Sequence, residues 1–87
     1  MTKIYIYCLF DRFDNFLGVY SSLKSVHRDA LALCNRGNKP VKMIVDGQRL
    51  PCNLVSLRNS FKGKFNVEIK YLSDTTAVKI FKTKIKE

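Results

Sequence analysis

The chain reads as an α+β domain, two helices against a mostly antiparallel sheet in the order ββαββαββ. Three observations predict this class. Apolar and polar residues alternate over short stretches at both ends of the chain, turn residues join those stretches in pairs, and two segments between them carry apolar residues at helical spacing. With 87 residues the chain can bury one core but not two, so residues 1–87 are read as a single compact domain. Its 46% hydrophobic content is that of a folded protein, with order expected nearly from end to end.

Lys3 to Phe10 form the first expected strand. Alternation sets Ile4, Ile6, Cys8 and Phe10 on one face, read as the core face, and Lys3, Tyr5, Tyr7 and Leu9 on the other. Asp11 to Asn15 supply turn chemistry, because Asp and Asn bond their own backbone and Asn tolerates positive φ. Phe16 to Tyr20 return as a second strand, in which Gly18 marks a bulge or a close approach of another element. Ser21 or Ser22 then caps a helix whose apolar residues Leu23, Val26, Ala30, Leu33 and Cys34 share a face, and Arg36 with Gly37 closes it.

After the loop Gly37-Asn38-Lys39-Pro40, Val41 to Val45 read as a third strand. Asp46-Gly47 is the strongest short hairpin signal in the chain, and Gln48 to Cys52 make a brief return that Pro51 confines to a sheet edge. Asn53 caps a short helix, Leu54 to Lys62, with Leu54, Leu57 and Phe61 along one face and Gly63 at its end. The chain finishes as a hairpin. Val67, Ile69 and Tyr71 alternate with Glu68 and Lys70, Ser73-Asp74-Thr75 turn, and Ala77 to Lys86 return. In that last strand Val78 and Ile80 have opposite parity to Phe81, Thr83 and Ile85. A bulge at Ile80 and Phe81 restores one apolar side and sets Lys82, Lys84 and Lys86 together on the other.

Sixteen Lys and Arg against seven Asp and Glu give a net charge of +9, which favours an anionic partner: nucleic acid, an acidic protein face or an anionic membrane. A membrane is the weakest of the three, since no apolar run approaches the roughly 18 to 20 residues needed to span and no lipidation motif is present. Lys3 leads into a strand-like segment without a small-residue cleavage site, so no signal peptide is expected and the setting is read as intracellular. Cys8, Cys34 and Cys52 are odd in number and widely spaced, which suggests neither a disulfide framework nor a zinc site. Reduced structural thiols are expected, with Cys8 and Cys34 on core faces.

The positive charge gathers towards the C-terminal half. From residue 49 onward Arg49, Arg58, Lys62, Lys64, Lys70, Lys79, Lys82, Lys84 and Lys86 face only Glu68, Asp74 and Glu87. The lysines of the last strand serve either to protect a sheet edge or to contact phosphates; a basic half-domain favours the second. The candidate phosphate contacts are Arg49, Arg58, Lys62, Lys64, Lys79, Lys82, Lys84 and Lys86, with Tyr5 and Tyr7 as candidate base-stacking residues. An RNA-recognition motif does not fit. Ile4 to Leu9 and Lys62-Gly63 resemble its two consensus segments, but Lys64 and Asn66 stand where stacking aromatics belong, and a hairpin follows the first strand instead of a helix.

No catalytic constellation accompanies this charge. His27 is the single histidine and sits beside Leu23, Ala30, Leu31 and Cys34 at helical spacing, as a packed or rim residue would. Asp11 and Asp14 are accounted for by the turn, and the four glycines are scattered through caps and turns with no phosphate loop among them. The expectation is a binding protein, not an enzyme, with no cofactor or metal.

The segment Leu9-Phe10-Asp11-Arg12-Phe13-Asp14-Asn15-Phe16-Leu17-Gly18-Val19-Tyr20-Ser21-Ser22-Leu23-Lys24 resembles the hairpin-then-helix opening of small accessory proteins of tailed phages, T4-type phages among them. Within that setting, size and basicity are similar to those of inhibitors of the ToxN endoribonuclease toxin. The resemblance implies a counter-defence or host-takeover protein in the host cytoplasm. It would act stoichiometrically on RNA, another nucleic acid or a host ribonuclease that handles RNA. The alternative is a protein-interaction module that meets an acidic host protein, such as transcription machinery, without nucleic acid. A minor virion component is a third class.

Overall fold

The computed structural model describes residues 5–35, 40–62, 67–74 and 76–84. Eight elements follow one another as β1 (Tyr5–Asp11), β2 (Phe16–Tyr20), α1 (Leu23–Cys34), β3 (Lys42–Val45), β4 (Gln48–Leu50), α2 (Leu54–Phe61), β5 (Val67–Leu72) and β6 (Ala77–Lys84). This is the expected ββαββαββ order. The strands form one antiparallel sheet in the spatial order β2-β1-β6-β5-β3-β4. Lys3, Ile4, Arg36, Gly37, Asn38, Lys39, Gly63, Lys64, Asn66, Thr75, Ile85, Lys86 and Glu87 lie outside the described residues.

Local chemistry sets the element ends. Asp11 organises the first hairpin: its carboxylate accepts the backbone N–H of Phe13 and of Asn15 and the side-chain amide of Asn15. Those donors hold its carboxyl below the ordinary range. Asp14 supplies the positive φ of the same turn, at 64°, while Asp46 and Gly47, at 50° and 78°, make the tight β3–β4 turn. Ser22 accepts the backbone N–H of Ser25 at the start of α1, and Asn53 accepts that of Ser56 at the start of α2. The β1–β2 ladder slips between Leu9 and Phe10, opposite Leu17 and next to Gly18, where a bulge or close approach was anticipated.

Both helices pack on one face of the sheet. On that side Leu9 of β1, Met43 of β3, Ile69 and Tyr71 of β5 and Val78 and Ile80 of β6 meet Val26, Ala30 and Cys34 of α1 and Leu57 and Phe61 of α2 in one buried cluster. The buried face of β1 is therefore the one carrying Tyr5, Tyr7 and Leu9, the reverse of the sequence expectation. Ile6, Cys8 and Phe10 point the other way. Apolar side chains occupy both faces of this strand, and the helices settle on the tyrosine side, where hydroxyls reach the edge of the core. Tyr7 packs its ring against Phe61 at 5.7 Å between centroids, and burial pushes its hydroxyl pKa up. On β2, Tyr20 ties the outer strand to α1 by donating to Asp29 at 2.7 Å.

The last strand also corrects an expectation. No bulge interrupts β6; its pairing with β1 and with β5 runs in continuous register through Ile80 and Phe81. Lys82 and Lys84 consequently share a face with Val78 and Ile80, and Lys82 is turned inward, only 8% exposed. Its ammonium donates to the backbone carbonyl of Phe61 at 2.9 Å and lies 4.5 Å from the Tyr5 ring centroid. The alkyl stem lines the core while the charge satisfies an orphan carbonyl at the C-terminal end of α2. Nor is β6 an edge strand, since β1 and β5 flank it, so edge protection has no role there.

Two measurements check this core. Lys82→Ala removes a charge-assisted hydrogen bond and buried stem, and should lower unfolding free energy by about 2 kcal/mol in urea titration, with Lys82→Met losing less. An unchanged midpoint in Lys82→Ala would show that the α2 cap contributes nothing. The second concerns His27, whose Nδ1 lies 2.6 Å from the buried Tyr71 hydroxyl, and whose pKa is lowered by burial. Because the folded pKa lies below the unfolded value of about 6.5, the unfolded chain takes up the proton first. Stability from this pair is complete above that value and is lost as pH falls through the folded pKa. His27→Gln should flatten the loss of unfolding free energy between neutral and mildly acidic pH.

Candidate nucleic-acid interface

The sheet has a second face that neither helix covers, and the strand registers lay it out in rows. One row runs Phe16, Phe10, Lys79, Lys70, Ile44, Arg49 from β2 across to β4. The adjoining row runs Val19, Cys8, Phe81, Glu68, and beyond the first lies Ala77, Leu72, Lys42. At about 4.8 Å between strands the platform is about 24 Å wide. It is graded: aromatic and aliphatic on β2 and β1, mixed on β6 and β5, basic on β3 and β4.

The aromatic end is held in place and open to solvent. Phe10 and Phe16 meet edge to face at 5.7 Å, and Phe16 is 61% exposed. Val19 beside them is 55% exposed. At the hairpin tip the Arg12 guanidinium lies 4.6 Å from the centroid of the Phe13 ring, itself 69% exposed. A hollow of about 340 Å³ opens between Phe10 and Phe81, with Lys79, Glu68 and Asp14 completing its lining. A second, of about 400 Å³, lies next to it across Glu68, bounded by Ile44, Lys70, Val67 and the Asp46-Gly47 turn.

Lys79 stands at the centre of the platform. Its ammonium bonds Asp14 from the hairpin turn and lies 3.8 Å from Glu68 Oε1 on β5. The Asp14 bond, more than any other influence, raises its pKa, so it stays cationic. Among the described residues the ion pairs take up Lys79 and Arg28 and leave Lys42, Arg49 and Lys70 without an acidic partner. Those three lie on β3, β4 and β5, at the end of the face away from β2.

The residues anticipated from the sequence do not form one surface. Arg49 and Lys79 lie on the open face. Arg58 lies on α2 and Lys62 caps its end, both exposed in the helix layer on the far side. Lys82 is buried and Lys84 lies at the end of β6 on the helix side, while Lys64 and Lys86 fall outside the described residues. Tyr5 and Tyr7 lie half-buried on the helix side of the sheet, Tyr5 beneath the Lys82 ammonium and Tyr7 against the Phe61 ring. Phe10, Phe16, Phe81, Lys42 and Lys70 were not anticipated as site residues. The signal for them is the parity of β6 taken without a bulge, which places Phe81 and Lys79 together opposite Cys8 and Phe10.

The three cysteines are free thiols. Cys8 lies on the open face, not in the core, while Cys34 is buried and donates to the Tyr71 carbonyl at 3.4 Å. Burial raises the pKa of all three, that of Cys52 to about 11, which keeps them protonated and poorly nucleophilic. Among the described residues no group of three His, Cys, Asp or Glu side chains is placed to hold a metal ion. None of the described helices is long and apolar enough to cross a membrane. Compared with protein-family models, curated proteins and solved structures, the chain has no match.

Proposed function

We propose that this protein binds single-stranded nucleic acid, RNA first among the candidates, on the uncovered face of its sheet, and acts by occupancy without turnover. The observation that carries this reading is the coincidence, on the one face the helices leave free, of the exposed Phe16 ring and the half-buried Phe10 and Phe81 rings with cations that have no acidic partner. Aromatic faces stack on unpaired bases of any sequence, and a neighbouring basic strip follows the phosphates. A duplex hides its bases from such a surface, so a single strand is the better fit. The net charge of +9 draws the strand in at long range. In the phage setting that the resemblance implies, such binding shields RNA from a host endoribonuclease or blocks that nuclease.

A second reading, docking of an acidic host protein, is favoured by β2. This outer strand has an unpaired edge and exposes Phe16, Leu17 and Val19, a surface on which another chain can add a strand. Capture from cell extract with and without nuclease separates the two, since only the first loses its partner when RNA is digested.

The direct test is fluorescence anisotropy with a labelled RNA octamer across a salt series. Phe10→Ala or Phe81→Ala should weaken binding about 5- to 100-fold at fixed salt, with the fold verified by circular dichroism. Replacing Lys42, Arg49 and Lys70 together by Ala should reduce the slope of log affinity against log salt by about 2. Arg58→Ala with Lys62→Ala, on the opposite layer, should change either quantity far less. Flat salt dependence, or no binding at low salt, defeats the proposal.

A further inference from the structure

We infer that the hollow between Phe10 and Phe81 receives one base of the bound strand and that Glu68 and Lys79 select guanine for it; this rests on the strand-binding reading above. The hollow, about 340 Å³, is at the small end of ligand sites and suits one planar group better than an extended ligand. Its corners are set by the sheet. Phe10 pairs with Lys79 and Phe81 with Glu68, so the two rings stand along one side of the hollow and the two charges along the opposite side. Phe10 makes its ring contact with Phe16, on the side away from the hollow, which leaves the hollow side for a ligand.

The charged side has a particular chemistry. A carboxylate only accepts hydrogen bonds and an ammonium only donates them, and here Glu68 Oε1 and Lys79 Nζ are 3.8 Å apart. Together they offer an acceptor pair flanked by a donor. The Watson–Crick edge of guanine is the complement: N1–H and N2–H are adjacent donors for the two carboxylate oxygens, and O6 beside them accepts from the ammonium. Uracil presents one donor between two acceptors, and adenine and cytosine each set a ring-nitrogen acceptor next to their amine. Any of these turns a lone pair towards Glu68. Asp14, bonded to the same ammonium, holds Lys79 in position and keeps it charged when Glu68 turns to the base. Phosphates of the strand continue towards Lys70, Lys42 and Arg49, away from the two carboxylates.

The test uses the full chain and labelled RNA octamers: all-uridine, and the same strand with one central guanosine, inosine, adenosine or cytidine. The guanosine octamer should bind about 5- to 100-fold tighter than the all-uridine one, the range of a good bidentate base contact. Inosine, which lacks the 2-amino group, should fall between them. Glu68→Gln, at an exposed position, should abolish the advantage of the guanosine octamer over the all-uridine one. Equal affinity for all octamers would overturn the guanine assignment and leave strand binding standing, whereas failure of every octamer to bind defeats both. A guanosine preference that survives Glu68→Gln overturns the role given to that carboxylate. Guanosine monophosphate binding as tightly as the guanosine octamer would overturn the placement of the base within a strand.

Discussion

The constraint from which the rest of the structure follows is that both helices lie on one side of a six-stranded sheet. The sheet is about 24 Å across, and α1, at 12 residues, is about 18 Å long. Adding the eight residues of α2 covers one face and nothing more. Among the described residues no third layer lies on the other face. What lies there is thus exposed by architecture, and the only freedom left is which side chains are assigned to it.

That assignment explains where the charge goes. On the covered side a lysine is tolerated only if its ammonium finds a partner, and Lys82 finds the Phe61 carbonyl and the Tyr5 ring. It closes α2, a two-turn helix that depends on packing, and so belongs to the stability of the fold. On the open side Lys79 is matched to Asp14 and Glu68, while Lys42, Arg49 and Lys70 are not. The basic excess is thus divided between both layers.

Element order was legible because short-range chemistry specifies it. Ser22, Asn53, Asp11 and Asp46-Gly47 each act on backbone groups within four residues, and each does in the structure what its type suggests. Which face of a strand is buried is a long-range decision, and there the pattern was ambiguous. β1 is apolar on both sides, so alternation could not choose between Leu9 and Phe10. In β6 the assumption that lysines point to water led to a bulge that does not exist. Once Lys82 is allowed to cap a helix, Val78, Ile80 and Lys82 need no irregularity, and Phe81 moves to the open face opposite Cys8. The candidate site was missed for the same reason: its rings belong to the faces that were read as core.

An exposed sheet face bearing Phe10, Phe16, Val19 and Phe81, continuous with an unpaired edge at β2, is a surface on which copies of a protein tend to associate. The charge of +9 opposes this, but mainly beyond contact range, because at physiological salt the field decays over about 8 Å. On the reading proposed above, a single strand lying across the platform would cover the rings with its bases and neutralise Lys42, Arg49 and Lys70 with its phosphates. A protein partner at β2 would bury the rim of the apolar surface and leave the cations of β3, β4 and β5 unanswered. Under the proposed reading, a ligand both planar and anionic along its length would answer the two features of the open face together, the rings at one end and the cations at the other.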